Sequence, residues 1–370
     1  MRIGFDAKRA FLNHSGLGNY SRRVIESLTQ FYSDENYFLF NSESKEKLFN
    51  QILIRNNVEI INPSTILKSI WRSYSQVNDW KKFNLDIYHG LSNELPFGLN
   101  RTKTKTVVTI HDLIFKKNPN YYPFIDRTIY NLKTKHACKK ADKIICVSDQ
   151  TKKEVVKFYG INEKKIDVIY PAIPDHITQM ISVDNIAAVK LKYQLPDKFL
   201  LYTGTIEKRK NLLTVIKALD KLGDKAPPLI AIGKSTKYLN EIKNYLKISR
   251  QKMEVSFLTE VNNEELNIIY SLANLFIYTS LFEGFGIPLI EAMAHGIPCI
   301  TTKNSCMEEA AGKGALYVDP LSIEETANAI SNLTNNAALH KQLSTLAIAH
   351  SAKFNSKRLA DQLMATYSGL

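Results

Sequence analysis

Two glutamates eight positions apart, Glu283 and Glu291, bracket the turn Gly284-Phe285-Gly286-Ile287-Pro288 in the segment LFEGFGIPLIEAMAHG. Glycines at 284 and 286 let backbone approach a ligand with no Cβ in the way, and proline suits the first turn of a helix. The turn therefore delivers a helix N-terminus whose free N–H groups and dipole favour a phosphate or diphosphate at Phe285 to Ile287. Glu291 is placed in the first turn of that helix. Carboxylates are poor phosphate ligands and good hydroxyl acceptors, so the pair suits a molecule that is diphosphate in the middle and polyhydroxylated at both ends, as a sugar nucleotide is. A second segment, LLYTGTIEKRKNLLTVIKAL, puts Gly204 at a strand end and Arg209 and Lys210 at a helix start, where two cations can neutralise a diphosphate and stabilise it as it departs. His111 and Asp112 end the run VVTIHD, and Gly16-Leu17-Gly18-Asn19-Tyr20-Ser21 opens the helical run RRVIESLTQFY after a long loop. The dinucleotide fingerprint needs a third glycine and an acidic residue closing the next strand; Ser21 and Asn41-Ser42 stand there instead, which disfavours NAD.

These loops need strands to hold them. Short β-branched or aromatic runs alternate with helical patterns along the whole chain, which predicts parallel sheets covered by helices. The first half offers RIGFD, YFLF, VEII, DIYHG, VVTIHD, KIICVS and DVIYP; the second offers FLLYTG, LIAIG, VSFLT, LFIYTS, PCITT and ALYVD. The expected fold class is α/β, with two Rossmann-like domains facing across a cleft lined by the carboxyl ends of both sheets. The expected division is 1–175, 176–355 and a C-terminal helix at 356–370 that packs back on the first domain.

The 370 residues are 44% hydrophobic and 23% charged, which excludes disordered and fibrous classes. No apolar run is long enough to span a bilayer, and MRIGFDAKRA carries charge where a secretory signal would be apolar, so the expected location is the cytoplasm. Cys138, Cys146, Cys299 and Cys306 show no CxxC spacing and are expected to be reduced and structural. No HxxxH or HExxH pair and no D-x-D occurs, so no metal or other cofactor is expected. Of the net charge of +13, most lies in residues 1–175, with 28 basic against 18 acidic residues and a basic band from Arg101 to Lys143. This basic half suits an anionic membrane surface. Nucleic acid is disfavoured, because the cations fall in no recognition motif. The stripe Ile66, Leu67, Ile70, Trp71, Tyr74 and Val77, with Lys68, Arg72, Lys81 and Lys82 beside it, fits either a helix lying on a bilayer or a core helix.

The combination EGFG-x-P-x-x-E-A-M-A-x-G with its paired glutamates resembles the signature of the family 4 retaining glycosyltransferases, which have the two-domain GT-B fold. By that resemblance Glu283 contacts the donor-sugar hydroxyls and Glu291 holds the ribose. Gly204-Thr205-Ile206-Glu207-Lys208-Arg209-Lys210-Asn211 is similar to the corresponding segment of the mannosyltransferase B type of O-antigen enzymes, with Lys208 where proline is usual. The resemblance also implies that His111 contacts the donor sugar, that the loop at Gly16 and Gly18 approaches the diphosphate, and that backbone near Val261 reads the base. His89-Gly90 has a claim to the acceptor side. Glu309 matches another family position, although Met307 replaces the usual proline. The resulting expectation is a metal-independent transferase that moves a hexose, mannose from GDP-mannose first, from a nucleotide-sugar donor to a glycan or lipid-linked oligosaccharide in surface polysaccharide synthesis. A UDP-hexose or GDP-deoxyhexose donor, a nucleotide-sugar 2-epimerase and a non-catalytic nucleotide-sugar-binding protein are the alternatives.

Overall fold

All thirteen strand segments read from the sequence are parallel strands. In the first half these are β1 (Arg2–Asp6), β2 (Asn36–Phe40), β3 (Val58–Ile61), β4 (Ile87–Gly90), β5 (Lys105–Ile110), β6 (Lys143–Cys146) and β7 (Ile166–Val168). In the second they are β8 (Leu200–Thr203), β9 (Leu229–Ile232), β10 (Val255–Leu258), β11 (Leu275–Tyr278), β12 (Cys299–Thr302) and β13 (Ala315–Val318). The computed structural model describes residues 1–13, 15–41, 55–63, 68–174, 177, 181–249 and 251–370. One unit comprises Met1–Ala172 and Asn355–Leu370, the other Ile173–Phe354.

The N-terminal unit holds a seven-stranded sheet in the order β3-β2-β1-β4-β5-β6-β7, and the other a six-stranded sheet in the order β10-β9-β8-β11-β12-β13. Most strands are buried on both faces, such as Leu200 to Thr203 and Leu275 to Tyr278, which is why they read as continuous apolar runs and not as alternations. In each sheet the strand order reverses between two central parallel strands, β1/β4 and β8/β11. A crevice forms there beyond the carboxyl ends of the strands, the usual place for a ligand in such sheets.

Helix Ser356–Ser368 belongs to the N-terminal unit. Tyr32 Oη donates to Asp361 Oδ1 at 2.8 Å, and Thr366 Oγ1 donates to Asp167 Oδ2 at 3.1 Å. Tyr367 Oη lies 2.6 Å from His89 Nδ1, whose Nε2 is 2.8 Å from Thr109 Oγ1. His89 is thus fully buried and both ring nitrogens are engaged; burial holds its pKa down at about 3. The claim of His89 to an acceptor site is corrected accordingly: it joins the C-terminal helix to the sheet.

The stripe around Trp71 divides between core and surface. Ile66 and Leu67 lie outside the described residues; Trp71 and Val77 are core, Ile70 and Tyr74 are 52% and 55% exposed, and the Arg72 guanidinium turns inward to Asp6 (Nε–Oδ2 3.0 Å) and Glu94 (Nη1–Oε2 2.9 Å). Lys133 Nζ reaches the same Glu94 oxygen at 3.1 Å. Among the described residues no helix is long and apolar enough to cross a membrane. All four cysteines are buried and unbridged.

Gly16 and Gly18 sit in the first turn of helix Gly16–Phe31, which begins six residues earlier than the sequence pattern suggests. The preceding connection is itself partly helical, at Lys8–Leu12. The two glycines differ in kind. A Cβ at Gly16 would meet nothing within 4 Å, whereas one at Gly18 would stand 1.8 Å from the Asn13 carbonyl oxygen. Gly18→Ala is therefore expected to destabilise the protein by about 1–3 kcal/mol or more, since backbone must move, and Gly16→Ala to leave stability nearly unchanged. Urea unfolding of both variants checks this; equal effects would contradict the packing assigned to Gly18.

Candidate functional site

The β8 and β11 carboxyl ends bring together most of the charged residues picked out from the second half. After β8, residues Lys208–Lys210 form a single tight turn, ended by Asn211 in the left-handed conformation at φ 63°. Asn211 tolerates that backbone better than most residues. Its side-chain amide is held by the carbonyls of Thr279 (3.1 Å) and Pro320 (2.6 Å). This fastens the basic turn to the loop after β11, and Leu281 N donates to Arg209 O at 2.9 Å to complete the join.

Glu283 lies where the two loops meet. One carboxylate oxygen, Oε1, is shared by Lys210 Nζ, Arg209 Nη1 at 3.1 Å and Tyr278 Oη at 3.1 Å. Arg209 also donates to Phe282 O at 2.6 Å and to Glu207 Oε1 at 2.6 Å, and Lys210 to Tyr278 Oη. The side chains of Lys210 and Glu283 are each only 12% exposed. Burial alone would raise the Glu283 pKa, but Lys210 and Arg209 overcome it and hold the carboxyl at about 2. Burial pulls the Lys210 pKa down against the opposing pull of Glu283. Both cations of the sequence reading are present, already engaged by the carboxylate that the same reading reserved for sugar hydroxyls.

Gly286, at φ 120°, precedes helix Ile287–Ala294, with Pro288 in its first turn. A side chain there would be strained by the backbone, and its Cβ would come within 2.8 Å of Met307 Sδ. Phe285 is buried and packs edge-on against Phe354. Gly284 and Ile287 stand on either side, so the stretch from 284 to 287 forms the approach to the helix N-terminus. Glu291 begins the second turn, one residue beyond the placement read from the sequence. Its Oε2 accepts from Tyr270 Oη at 3.2 Å, and Tyr270 Oη lies 2.9 Å from Thr203 Oγ1, which ties Glu291 to the end of β8. Gly204 follows there; the nearest atom to a Cβ built on it would be Tyr278 Cε2 at 3.9 Å. Val261 lies in the loop between β10 and helix Asn263–Leu272, whose start is fixed by an Asn262/Glu265 capping box. The backbone carbonyl of Glu309 lies 3.2 Å from His350 Nε2.

His111, Gly16 and Gly18 belong to the N-terminal unit, where a cavity of about 300 Å³ opens over the β1/β4 crevice. Its walls include Arg9, Ser92, Asn93, His111, Tyr130 and Lys133. His111 is held at its backbone N by Asn93 Oδ1 (2.8 Å), and its Nε2 lies 2.8 Å from Leu91 O. A carbonyl only accepts, so Nε2 carries the proton and Nδ1 keeps its lone pair. Burial lowers the His111 pKa to about 4, so the ring is neutral near pH 7. Tyr20 meets the ring edge-on at 4.6 Å. Asp112 Oδ1 accepts from Ile114 N at 3.1 Å, a turn-forming contact.

The sequence reading missed Tyr278, Tyr270 and Thr203, which orient Glu283 and Glu291, and also Asn93, Tyr130 and Lys133. Tyr278 and Thr203 share one signal: each closes a strand at the central crevice. Among the described residues no group of three or more His, Cys, Asp or Glu side chains is arranged to hold a metal ion.

Residues 15–176 match the family model described as Glycosyltransferase Family 4, and residues 185–350 the one described as Glycosyl transferases group 1. The chain is 26% identical to an O-antigen chain mannosyltransferase B of Escherichia coli over 99% of both chains. It is 32% identical to the O-antigen chain mannosyltransferase RfbU of Salmonella typhimurium over 61% of this chain and 60% of that one. In fold it is similar to Anabaena HepE, solved in complex with UDP and glucose, with a TM-score of 0.77 over all of both chains at 18% identity.

The Glu283 pairing has a pH signature. An unperturbed glutamate titrates at 4.5 and this one at about 2, so its stabilisation is complete above about pH 5 and is lost as pH falls from 4.5 towards 2. The span corresponds to roughly 3 kcal/mol. Urea unfolding between pH 6 and pH 3 should show a steeper acid loss in the wild type than in Glu283→Gln; parallel curves would remove the ion pair from the account.

Proposed function

The chain belongs to the family 4 glycosyltransferases of the GT-B fold, and from that premise we propose that it is a retaining hexosyltransferase using a nucleotide diphosphate sugar. Mannose from GDP-mannose is the first candidate donor, and a glycan or lipid-linked oligosaccharide of a surface polysaccharide is the acceptor. The observation that carries the reading is the meeting of Arg209, Lys210 and Glu283 beside the N-terminus of helix Ile287–Ala294. The mannosyl donor is supported by the O-antigen mannosyltransferases to which the chain is similar over 99% and 61% of its length. UDP-hexose and GDP-deoxyhexose donors are the competing choices within the same site. A 2-epimerase would use the same donor pocket and release an epimerised sugar with no acceptor consumed.

In this proposal the diphosphate lies along Gly284 to Ile287 and draws Arg209 and Lys210 from Glu283 to itself, which frees the carboxylate to accept from hydroxyls of the donor sugar. Glu291, already oriented by Tyr270, takes the ribose hydroxyls, backbone near Val261 reads the base, and Gly204 leaves room for the nucleotide. By the family resemblance Gly16 and Gly18 are assigned to the phosphates. His111 presents a neutral ring to the transferred sugar. The acceptor oxygen attacks the anomeric carbon on the face from which the diphosphate departs; the carbon–oxygen bond to phosphate breaks, and the acceptor proton passes to the departing oxygen. Arg209, Lys210 and the helix N-terminus stabilise the charge that develops, so the proposal needs neither a metal nor a side-chain base. Glu283 is a poor candidate for a nucleophile in a double displacement, because a carboxylate held at about pKa 2 by two cations is weakly nucleophilic.

Titration calorimetry of GDP, UDP, ADP and their sugar conjugates, in chelator, tests the donor. Selective binding of GDP and GDP-mannose is expected, with Lys210→Ala and Arg209→Ala each weakening it about tenfold or more. Glu283→Ala should lower turnover by roughly 10²–10³-fold in a folded protein. Unchanged nucleotide affinity in both cation variants would sink the assigned diphosphate site, and a preference for UDP would move the donor to a UDP-hexose. Because His111 is neutral well below pH 6, the pH dependence of kcat should show no limb from this residue near pH 6.5; such a limb abolished by His111→Ala would contradict its neutral state.

A further inference from the structure

A buried chain of hydrogen bonds runs through the N-terminal unit from the C-terminal helix to the ring of His111. Tyr367 Oη lies 2.6 Å from His89 Nδ1, His89 Nε2 lies 2.8 Å from Thr109 Oγ1, and Thr109 Oγ1 lies 3.2 Å from Tyr20 Oη. Tyr20 in turn meets the His111 ring at 88°, with the centroids 4.6 Å apart. Tyr20 and Tyr367 are 2% exposed, and His89 and Thr109 are fully buried. The four residues come from four elements: helix Ser356–Ser368, β4, β5 and helix Gly16–Phe31. Sheet register explains how the middle two meet. His89 is paired with Val107, and Thr109 stands two residues further along β5, so both side chains rise from the same face.

Adhesion does not require this chain. Leu359, Ala360, Leu363 and Met364 already bury an apolar face of the C-terminal helix, and Val24, Ile25 and Leu28 do the same for helix Gly16–Phe31. A buried polar chain contributes little net stability over apolar groups of the same shape, whereas cutting it leaves a buried donor or acceptor without a partner. What it supplies is a fixed geometry. His89 is neutral at pH 7, because burial holds its pKa at about 3, so its ring has one N–H and one bare nitrogen. Among the described residues, Nδ1 is the one acceptor in reach of Tyr367 Oη. Tyr367 therefore donates to Nδ1, Nε2–H donates to Thr109 Oγ1, and the Thr109 hydroxyl is free to donate to Tyr20 Oη. With the proton on Nδ1 instead, Thr109 would give its hydrogen to Nε2 and Tyr20 would have to be the donor. The sense of the last bond thus follows from the tautomer fixed at the first. At the far end, Leu91 O anchors one nitrogen of His111 but not the tilt of its ring, and Tyr20 is the surface against which that ring rests.

We propose that Tyr20 is a positioning residue for His111 and that Tyr367, His89 and Thr109 fix Tyr20, so that the C-terminal helix sets the orientation of a ring that lines the cavity over the β1/β4 crevice. The effect on turnover rests on the transferase reading; the coupling does not.

Nitrogen–proton NMR of the histidine rings in the full chain tests the coupling, with the His111 signals assigned by their loss in His111→Ala. Tyr367→Phe removes the first hydroxyl and Tyr20→Phe the last, and both keep the aromatic ring. Each should move the His111 ring-nitrogen signals, and the two shifts should not add, because a chain already cut at one end has less to lose at the other. Thr109→Val should move them as well, while Thr109→Ser, which keeps the hydroxyl, should leave them at the wild-type positions. His340 and His350, in the other unit, should not respond. His111 signals unmoved in Tyr367→Phe, fully additive shifts, or shifts spread equally over His340 and His350 would overturn the proposal. Release of nucleotide diphosphate from the donor that calorimetry selects, GDP-mannose first, gives the kinetic arm. The kcat should fall about threefold to tenfold in Tyr367→Phe and in Tyr20→Phe, with KM for the donor nearly unchanged. Moved His111 signals with kcat unchanged would sink the positioning role. A wild type that turns over none of the nucleotide sugars, with the coupled shifts present, would fail the transferase reading and not the chain.

Discussion

The second unit's site depends on one carboxylate oxygen. Glu283 Oε1 accepts from an ammonium and a phenol and pairs with a guanidinium, and this is what permits Lys210 to be nearly buried. A buried cation left unpaired would either lose its proton or open the fold to water. With Glu283 in place, both cations are paired and fixed, at the cost of being occupied. An incoming diphosphate brings more negative charge than one carboxylate, so in the proposed reaction it displaces Glu283 as the cations' partner without any residue having to be charged or moved far. Preorganisation of this kind makes electrostatic stabilisation effective, because little reorientation remains to be done when charge develops.

The same sheet topology is used in the two units to build surfaces of different character. At the β8/β11 crevice the loops end in charged groups and a helix N-terminus. At the β1/β4 crevice the lining mixes charged groups of both signs, Arg9, Glu94, Asp112 and Lys133, with amides, hydroxyls, aromatic rings and a neutral imidazole. Much of the N-terminal unit's charge near that crevice is turned inward: Arg72 bridges Asp6 and Glu94, and Lys133 completes the chain.

The sheets were legible because parallel strands buried on both faces must be apolar at every position, a demand that few helices or loops meet. The charged cluster was legible for a related reason: Gly284, Gly286 and Pro288 make sense only at a turn that opens a helix, and Arg209 and Lys210 follow a strand directly. The pairing of those cations with Glu283 was not, since they are 73 and 74 positions away and nothing local announces that one oxygen will serve both. Helix Gly16–Phe31 began early because glycine at its first positions reads as loop. Gly18 is there for room beside the Asn13 carbonyl, a contact that residue type alone does not reveal.

Two apolar stripes show where periodicity stops being informative. Both the segment through Trp71 and the helix at Phe124–Lys140 repeat apolar residues at helical spacing with cations nearby, and both halves of that description fit a core element or a membrane-facing one. Periodicity establishes that a stripe exists and leaves its direction open. What separates them is where the charges can be satisfied. Arg72 reaches Asp6 at the end of β1 and Glu94 in the loop after β4, and Trp71 beside it fills the core while Ile70 and Tyr74 stay exposed. Lys135, Lys139 and Lys140 have only Asp126 on their own helix, and the small residues Ala137 and Cys138 are what that helix offers the sheet, so the larger apolar side chains are left outside with the cations. The partners of Arg72 lie 66 and 22 positions away in sequence, so nothing local shows which of its neighbours the fold buries.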